Sequence, residues 1–127
     1  MKVSVVGLGP GGGADMTGRA RAALERCELL VGYTAYIDLV KDQFPDKDLL
    51  STGMRREVDR CRAAVEAAAA GRRVAVVCSG DPGVYGMASL VYEVAQEYPP
   101  IEIEVIPGIT AACGGAAGLG APLTHDF

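Results

Sequence analysis

Apolar residues follow two alternating patterns along this chain: short unbroken runs, and longer stretches in which they recur at helical spacing. The short runs predict buried strands at residues 3–6, 29–31, 74–78 and 101–106. A fifth run, at residues 49–51, is short and predicts an edge strand. These runs alternate with predicted helices over residues 17–26, 34–42, 56–70, 84–96 and 110–117.

The helix predicted over 56–70 has the clearest pattern. Apolar side chains recur there at helical spacing, at Val58, Cys61, Ala64, Val65 and Ala68. Gly71 follows as its predicted C-terminal cap. The helix predicted over 17–26 has Asp15 or Thr17 as its candidate N-cap. Its apolar face is predicted to comprise Ala20, Ala23, Leu24 and Cys27.

Strict alternation of strands and helices predicts an α/β fold, with a parallel-rich sheet of about five strands flanked by helices. Glycine-rich loops at 7–13, 79–83 and 107–112 each follow a predicted strand. In a parallel sheet these loops lie together at the carboxyl edge, where open α/β sheets bind ligands. Their small side chains suit a neutral or zwitterionic ligand with an adenosine-like part, and the chain has no P-loop lysine for a polyphosphate.

Composition narrows the classes of partner. The chain has 127 residues, of which 50% are hydrophobic, which suits one domain with a substantial core. Its net charge of −4 and the lack of any Lys/Arg cluster argue against nucleic acid. No apolar stretch approaches the roughly 20 residues that cross a bilayer, so we expect no membrane partner. The four cysteines are widely spaced, which predicts reduced thiols in a cytoplasmic protein and no metal site.

The sequence of the first loop also suggests an alternative function, that of a nicotinamide-binding oxidoreductase domain. Gly7, Gly9 and Gly12 form a G-x-G-x-x-G sequence after the first strand. Against that alternative, Pro10 and further glycines delay the next helix to about residue 17, so its N-terminus does not meet the loop. The second strand also ends without the acidic residue that holds a ribose.

The three loops together resemble a known family. Residues 7–11 (GLGPG), 79–86 (SGDPGVYG) and 107–111 (PGITA) are similar, in order and spacing, to the tetrapyrrole (corrin/porphyrin) methylases. The resemblance implies two α/β domains with S-adenosylmethionine bound between them. Residues 1–118 resemble the N-terminal domain, and residues 119–127 the start of the connection into a second domain that is missing here.

Within the family, three segments are most similar to the branch that methylates precorrin-3B at C-17 with ring contraction in cobalamin biosynthesis: residues 31–39, residues 51–54 followed by Glu57 and Arg60, and residues 120–127. The resemblance therefore implies an S-adenosylmethionine-dependent C-methyltransferase, inactive as this fragment alone. Methylases of precorrin-2, precorrin-4 or uroporphyrinogen III are alternatives, as are a binding domain without catalysis and methylases of ribosomal RNA or a modified protein. The implied partners are the tetrapyrrole, the missing C-terminal domain of the same protein and a second copy in a homodimer.

The resemblance also implies site residues. Tyr33 and Thr34 are the substrate-side candidates. Relatives acting on uroporphyrinogen III carry an Asp after the second strand, and this chain does not, so no catalytic residue is assigned. His125 is the one histidine of the chain and is a candidate acid–base group. The alternative is that His125 has no role in the reaction, which is more common for a lone histidine. The implied cofactor-binding residues are Gly9, Pro10, Ser79, Gly80, Asp81, Val84, Thr110 and Ala111.

Overall fold

Five parallel strands form the centre of the protein in a computed structural model that describes residues 1–124. Their order across the sheet is β3-β2-β4-β1-β5, and every neighbouring pair is parallel. The predicted α/β fold with about five strands is thereby confirmed. The strands are β1 (Lys2–Gly7), β2 (Leu29–Tyr33), β3 (Asp48–Thr52), β4 (Val74–Cys78) and β5 (Glu102–Ile106).

Helices connect the strands and cover both faces of the sheet. The side chains of α3 and α4 pack on one face, and those of α1 and α2 pack on the other. The last helix, α5, contributes no buried residue. The helices are α1 (Gly18–Arg26), α2 (Thr34–Val40), α3 (Glu57–Ala69), α4 (Ala88–Ala95) and α5 (Ala111–Leu119).

The predicted ends of the first and third helices are confirmed. Thr17 is the N-cap of α1, because the backbone N–H of Ala20 donates to its Oγ1 at 3.0 Å. Gly71 follows α3 with a φ of 95°, the left-handed conformation that ends helices. The four predicted apolar residues of the α1 face are all buried.

The fourth helix begins later than predicted, at Ala88 instead of residue 84. Residues 82–87 form turns and bends, and the Ala88 N–H donates to the Pro82 carbonyl at 3.1 Å. Tyr85 has a φ of 53°, which a right-handed helix cannot contain. The extra loop lengthens the connection after β4 at the carboxyl edge of the sheet.

Four of the five residues predicted for the apolar face of α3 are buried, and Val58 is the exception. Val58 is 47% exposed, whereas Arg60 is only 4% exposed. The face on the sheet runs through Arg60, Ala64 and Ala68, spaced four residues apart. Val58 lies in the first turn of α3, on the same side as the buried Val65 seven residues later, so its exposure comes from its place at the start of the helix.

Within residues 1–124, no helix is both long enough and apolar enough to cross a membrane.

Candidate functional site

The first two glycine loops are joined by backbone hydrogen bonds at the carboxyl edge of the sheet. The N–H of Leu8 donates to the Cys78 carbonyl at 2.8 Å, which extends the pairing of β1 with β4. Gly9 and Gly80 then exchange two N–H···O bonds of 3.1 and 2.8 Å. Gly80 has a φ of 61°, which a residue with a side chain adopts only with strain.

The third loop is held against the other two by close approach and by one carboxylate. A Cβ on Gly108 would collide with the Gly80 carbonyl, so only glycine fits there. Asp81 Oδ1 accepts the N–H of Gly108 at 3.0 Å, and its Oδ2 accepts the N–H of Gly83 at 2.9 Å. Asp81 therefore fixes the second loop to the third.

An open cavity of about 860 Å³ extends along this edge. Because the strand order is β3-β2-β4-β1-β5, residues after β2 and β3 form one end and the start of α5 forms the other. The loop after β4 lies between them. Eight of the ten residues predicted for cofactor and substrate line this cavity: Pro10, Tyr33, Ser79, Gly80, Asp81, Val84, Thr110 and Ala111.

The other two predicted residues lie outside the lining of the cavity. Gly9 is buried and acts through its backbone pairing with Gly80. The Thr34 hydroxyl donates to the Thr52 carbonyl at 3.2 Å and so connects the segments after β2 and β3. His125 lies outside the described residues.

Sequence reasoning gave no role in the site to a charged residue in the cavity wall, Arg60 on α3. Its Nε donates to Thr52 Oγ1 at 2.7 Å, one Nη to the Gly53 carbonyl at 3.4 Å and the other to Met87 Sδ at 3.8 Å. Its guanidinium carbon lies 5.8 Å from the centre of the Tyr33 ring. The signal for its burial was its place one helical turn before Ala64 on the apolar face of α3.

Aromatic side chains stand beside this arginine. The rings of Tyr33 and Tyr36 meet edge to face, with centroids 5.2 Å apart and an interplanar angle of 80°. Both tyrosines line the cavity. This end of the cavity therefore combines flat apolar surface with a positive charge.

Two residues at the cavity have unusual backbone conformations. Arg55 has a φ of 63° and Tyr85 a φ of 53°, and among residues 1–124 they are the only non-glycine residues with positive φ. Both line the cavity, and Tyr85 is fully exposed. Strained backbone of this kind clusters at functional sites.

The one thiol in the cavity wall is not a nucleophile at neutral pH. Burial raises the pKa of Cys78 to about 11. Burial likewise raises the pKa of the neighbouring Cys61 to about 12. Both groups are therefore protonated thiols at physiological pH, and the reactive form of cysteine is the thiolate. The cavity is thus suited to binding and aligning ligands, without covalent catalysis by these cysteines.

The fold and loops have counterparts among known proteins. The family model for Tetrapyrrole (Corrin/Porphyrin) Methylases matches residues 2–127. The chain therefore belongs to the tetrapyrrole methylase family, which confirms the resemblance seen in its loops.

Individual relatives agree with that assignment. A probable cobalt-factor III C(17)-methyltransferase of Salmonella typhimurium is 51% identical over 98% of this chain and 52% of its own length. A precorrin-3B C(17)-methyltransferase of Sinorhizobium is 39% identical over 97% of this chain and 50% of the relative. The crystal structure of the methyltransferase CobJ superposes with a TM-score of 0.91 at 45% identity, over 99% of this chain and 54% of the other. The chain thus spans about half the length of these relatives.

Proposed function

We propose that this chain is the cofactor-binding half of an S-adenosylmethionine-dependent C-methyltransferase. The observation that carries the proposal is the meeting of three glycine loops around one cavity on one sheet edge. Two of the predicted residues that line the cavity, Thr110 and Ala111, lie at the start of α5, where the positive end of a helix dipole favours a carboxylate. Ser79 and Asp81 lie beside them as candidate partners of the methionine part, and Val84 offers an apolar contact.

The proposed acceptor is a tetrapyrrole of cobalamin biosynthesis, methylated at C-17 with ring contraction. The support is the names of the relatives, which are C-17 methyltransferases of cobalt-factor III and precorrin-3B. The two names differ in whether cobalt is present in the macrocycle. Assays with both macrocycles, run in parallel, identify the form that this protein uses.

The reaction needs little chemistry from protein side chains. The nucleophilic ring carbon forms a bond to the methyl group while the carbon–sulfur bond breaks, and S-adenosylhomocysteine leaves with the electron pair. Such a displacement gains most from holding donor and acceptor in line at near-contact distance. The loops joined by backbone hydrogen bonds hold the donor side rigid, and the paired rings of Tyr33 and Tyr36 offer a surface for the acceptor.

The remaining half of the relatives' length is the proposed second domain that closes the cleft. We place the domain boundary at residues 118/119, where α5 reaches its last residue, Leu119, and Gly120 turns with a φ of 65°. A homodimer in the cytoplasm is the proposed state of the longer protein, and light scattering of the purified protein tests its mass.

Calorimetric titration tests the cofactor directly. We expect weak, saturable binding of S-adenosylhomocysteine to the 127-residue chain and no binding of NAD. Val84→Asp replaces an apolar lining residue of the cavity with a negative charge, and it should weaken the binding of S-adenosylhomocysteine at least about tenfold, or 1.4 kcal/mol.

Val58→Asp is the matched control for this substitution. Val58 is 47% exposed and Val84 is 46% exposed, but Val58 does not line the cavity. The control should leave the affinity unchanged. Saturable NAD binding, or equal effects of the two substitutions, contradicts the proposal.

A further inference from the structure

Arg60 is a buried positive charge in the cavity wall without an acidic partner. Its residue is 4% exposed, yet it lines the cavity. Within residues 1–124, no carboxylate oxygen lies within 4.0 Å of its guanidinium. Buried charges in proteins are normally paired, because an isolated charge is costly to remove from water.

The arginine retains capacity for a ligand. A guanidinium carries five N–H donors. Three of them are directed to neutral acceptors: Thr52 Oγ1, the Gly53 carbonyl and Met87 Sδ. These contacts and the Tyr33 ring fix the plane of the group, and two donors remain. A fixed planar guanidinium with free donors is suited to a carboxylate.

The position of Arg60 in the cavity indicates which ligand carboxylate it could bind. The methionine carboxylate of the cofactor is proposed to lie at the start of α5, at the β5 end of the edge. Arg60 lies at the opposite end, with Tyr33 and near the loop after β3. Two acidic side chains of the chain itself also line the cavity, Asp81 and Glu57. Asp81 already accepts two backbone N–H groups, and Glu57 is exposed and forms no ion pair with Arg60 within 4.0 Å.

We propose that Arg60 binds a carboxylate side chain of the tetrapyrrole acceptor and so positions the macrocycle over Tyr33. This inference rests on the proposed function, because it assigns part of the same cavity to the acceptor. Arg60 is a positioning residue and takes no part in bond making. The same contacts also connect α3 with the loops after β3 and β4, so the test separates ligand binding from structural support.

The experiment compares two stable porphyrins that differ only in charge. Binding of an octacarboxylic porphyrin, and of the same porphyrin with all carboxylates converted to neutral amides, is followed by fluorescence titration. The wild-type chain should bind the acid at least about tenfold more tightly than the amide. Arg60→Met should lower the affinity for the acid about tenfold and leave the affinity for the amide unchanged. The affinity of Arg60→Lys for the acid should lie between those of wild type and Arg60→Met.

Two controls identify the role of Arg60 and the ligand that supplies the carboxylate. Thr52→Val removes the hydrogen bond that supports Nε but keeps the charge, so it should retain most of the preference for the acid. Affinities for S-adenosylhomocysteine and for its decarboxylated analogue should keep the same ratio in wild type and Arg60→Met. Melting temperatures establish that each variant is folded, and the Lys variant carries the comparison if the Met variant does not fold.

Several results overturn the inference. Equal weakening of acid and amide in Arg60→Met, or the same loss in Thr52→Val, makes Arg60 a structural support. A changed ratio for the decarboxylated analogue assigns Arg60 to the cofactor instead. If the wild-type chain does not bind the acid, this half of the protein does not contain the carboxylate site.

A different result contradicts the proposed function alone. Acid-selective porphyrin binding without any binding of S-adenosylhomocysteine would leave the carboxylate site in place.

Discussion

Asp81 shows how one side chain builds the site by binding backbone. Its two oxygens accept the N–H groups of Gly108 and Gly83, which belong to two different loops. Asp81→Asn replaces one oxygen with an amide nitrogen that cannot accept, and leaves one N–H without its partner. We expect this variant to lose about 1–3 kcal/mol of unfolding free energy, measured by urea denaturation.

Asp59→Asn is the control for that prediction. Asp59 also accepts a hydrogen bond, from Arg56 at 3.0 Å, but the two side chains are 62% and 66% exposed. An exposed ion pair contributes about 0–1 kcal/mol. Equal losses in the two variants would show that Asp81 does not hold the loops together.

The buried thiol of Cys78 makes stability depend on alkaline pH. Burial raises its pKa from 9.0 to about 11, so between these values the folded state keeps a proton that the unfolded state releases. Stability therefore falls as pH rises through this window, by up to about 1.4 kcal/mol per pH unit for one thiol.

Cys78→Ala should remove that part of the decline, and Cys113→Ala, at an exposed position, should not. The measurement is the free energy of unfolding from pH 8 to pH 10.5 for both variants and wild type. Identical slopes in Cys78→Ala and wild type would mean that the thiol is not shielded from water.

At the residue scale, the sequence located glycine loops but not the group buried behind them. Small residues after strands are recognisable because turns and close approach restrict the residue types. Arg60 was noted for its resemblance to the family but was given no role in the site. Its burial depends on tertiary contacts with Thr52 at the end of β3 and with Met87 after β4, which the pattern of α3 does not contain. Gly80 also acquires a second role in three dimensions: with a φ of 61°, its substitution strains the backbone before it affects any ligand.

At the scale of elements, helix ends follow local rules that can be tested. Thr17 accepts a hydrogen bond from Ala20 at the start of α1, whereas Thr110 precedes α5 without a side-chain cap. Thr17→Ala should therefore cost about 1 kcal/mol of stability, and Thr110→Ala much less. Chemical denaturation of the two variants checks this difference, and a larger loss in Thr110→Ala would contradict it.

Strands and most helices were predictable because their apolar periodicity is a local property of the chain. The start of α4 was not, because it is set by turns in residues 82–87 that include Gly86 packed on Pro82. The exposure of Val58 was also missed, because helical spacing alone does not show how far along α3 the contact with the sheet extends. Tertiary packing, which no local pattern contains, decided both cases.

For the whole molecule, the parallel sheet explains why distant loops form one site. Three loops separated by dozens of residues meet because β4, β1 and β5 are adjacent and parallel. This consequence of topology was predictable once the strands were recognised. The chemistry of the acceptor end was not, because it depends on side chains from β2, α3 and the loop after β3.

We propose that this chain supplies the donor side of a tetrapyrrole C-methyltransferase. The most direct test of this proposal is transfer of labelled methyl groups from S-adenosylmethionine to precorrin-3B and to cobalt-factor III. The assay uses the chain joined to the C-terminal half found in its relatives, with the 127-residue chain alone beside it. We expect a product labelled at C-17 from the joined protein and none from the chain alone. No labelled product from a folded joined protein, or robust product from the short chain, would contradict it.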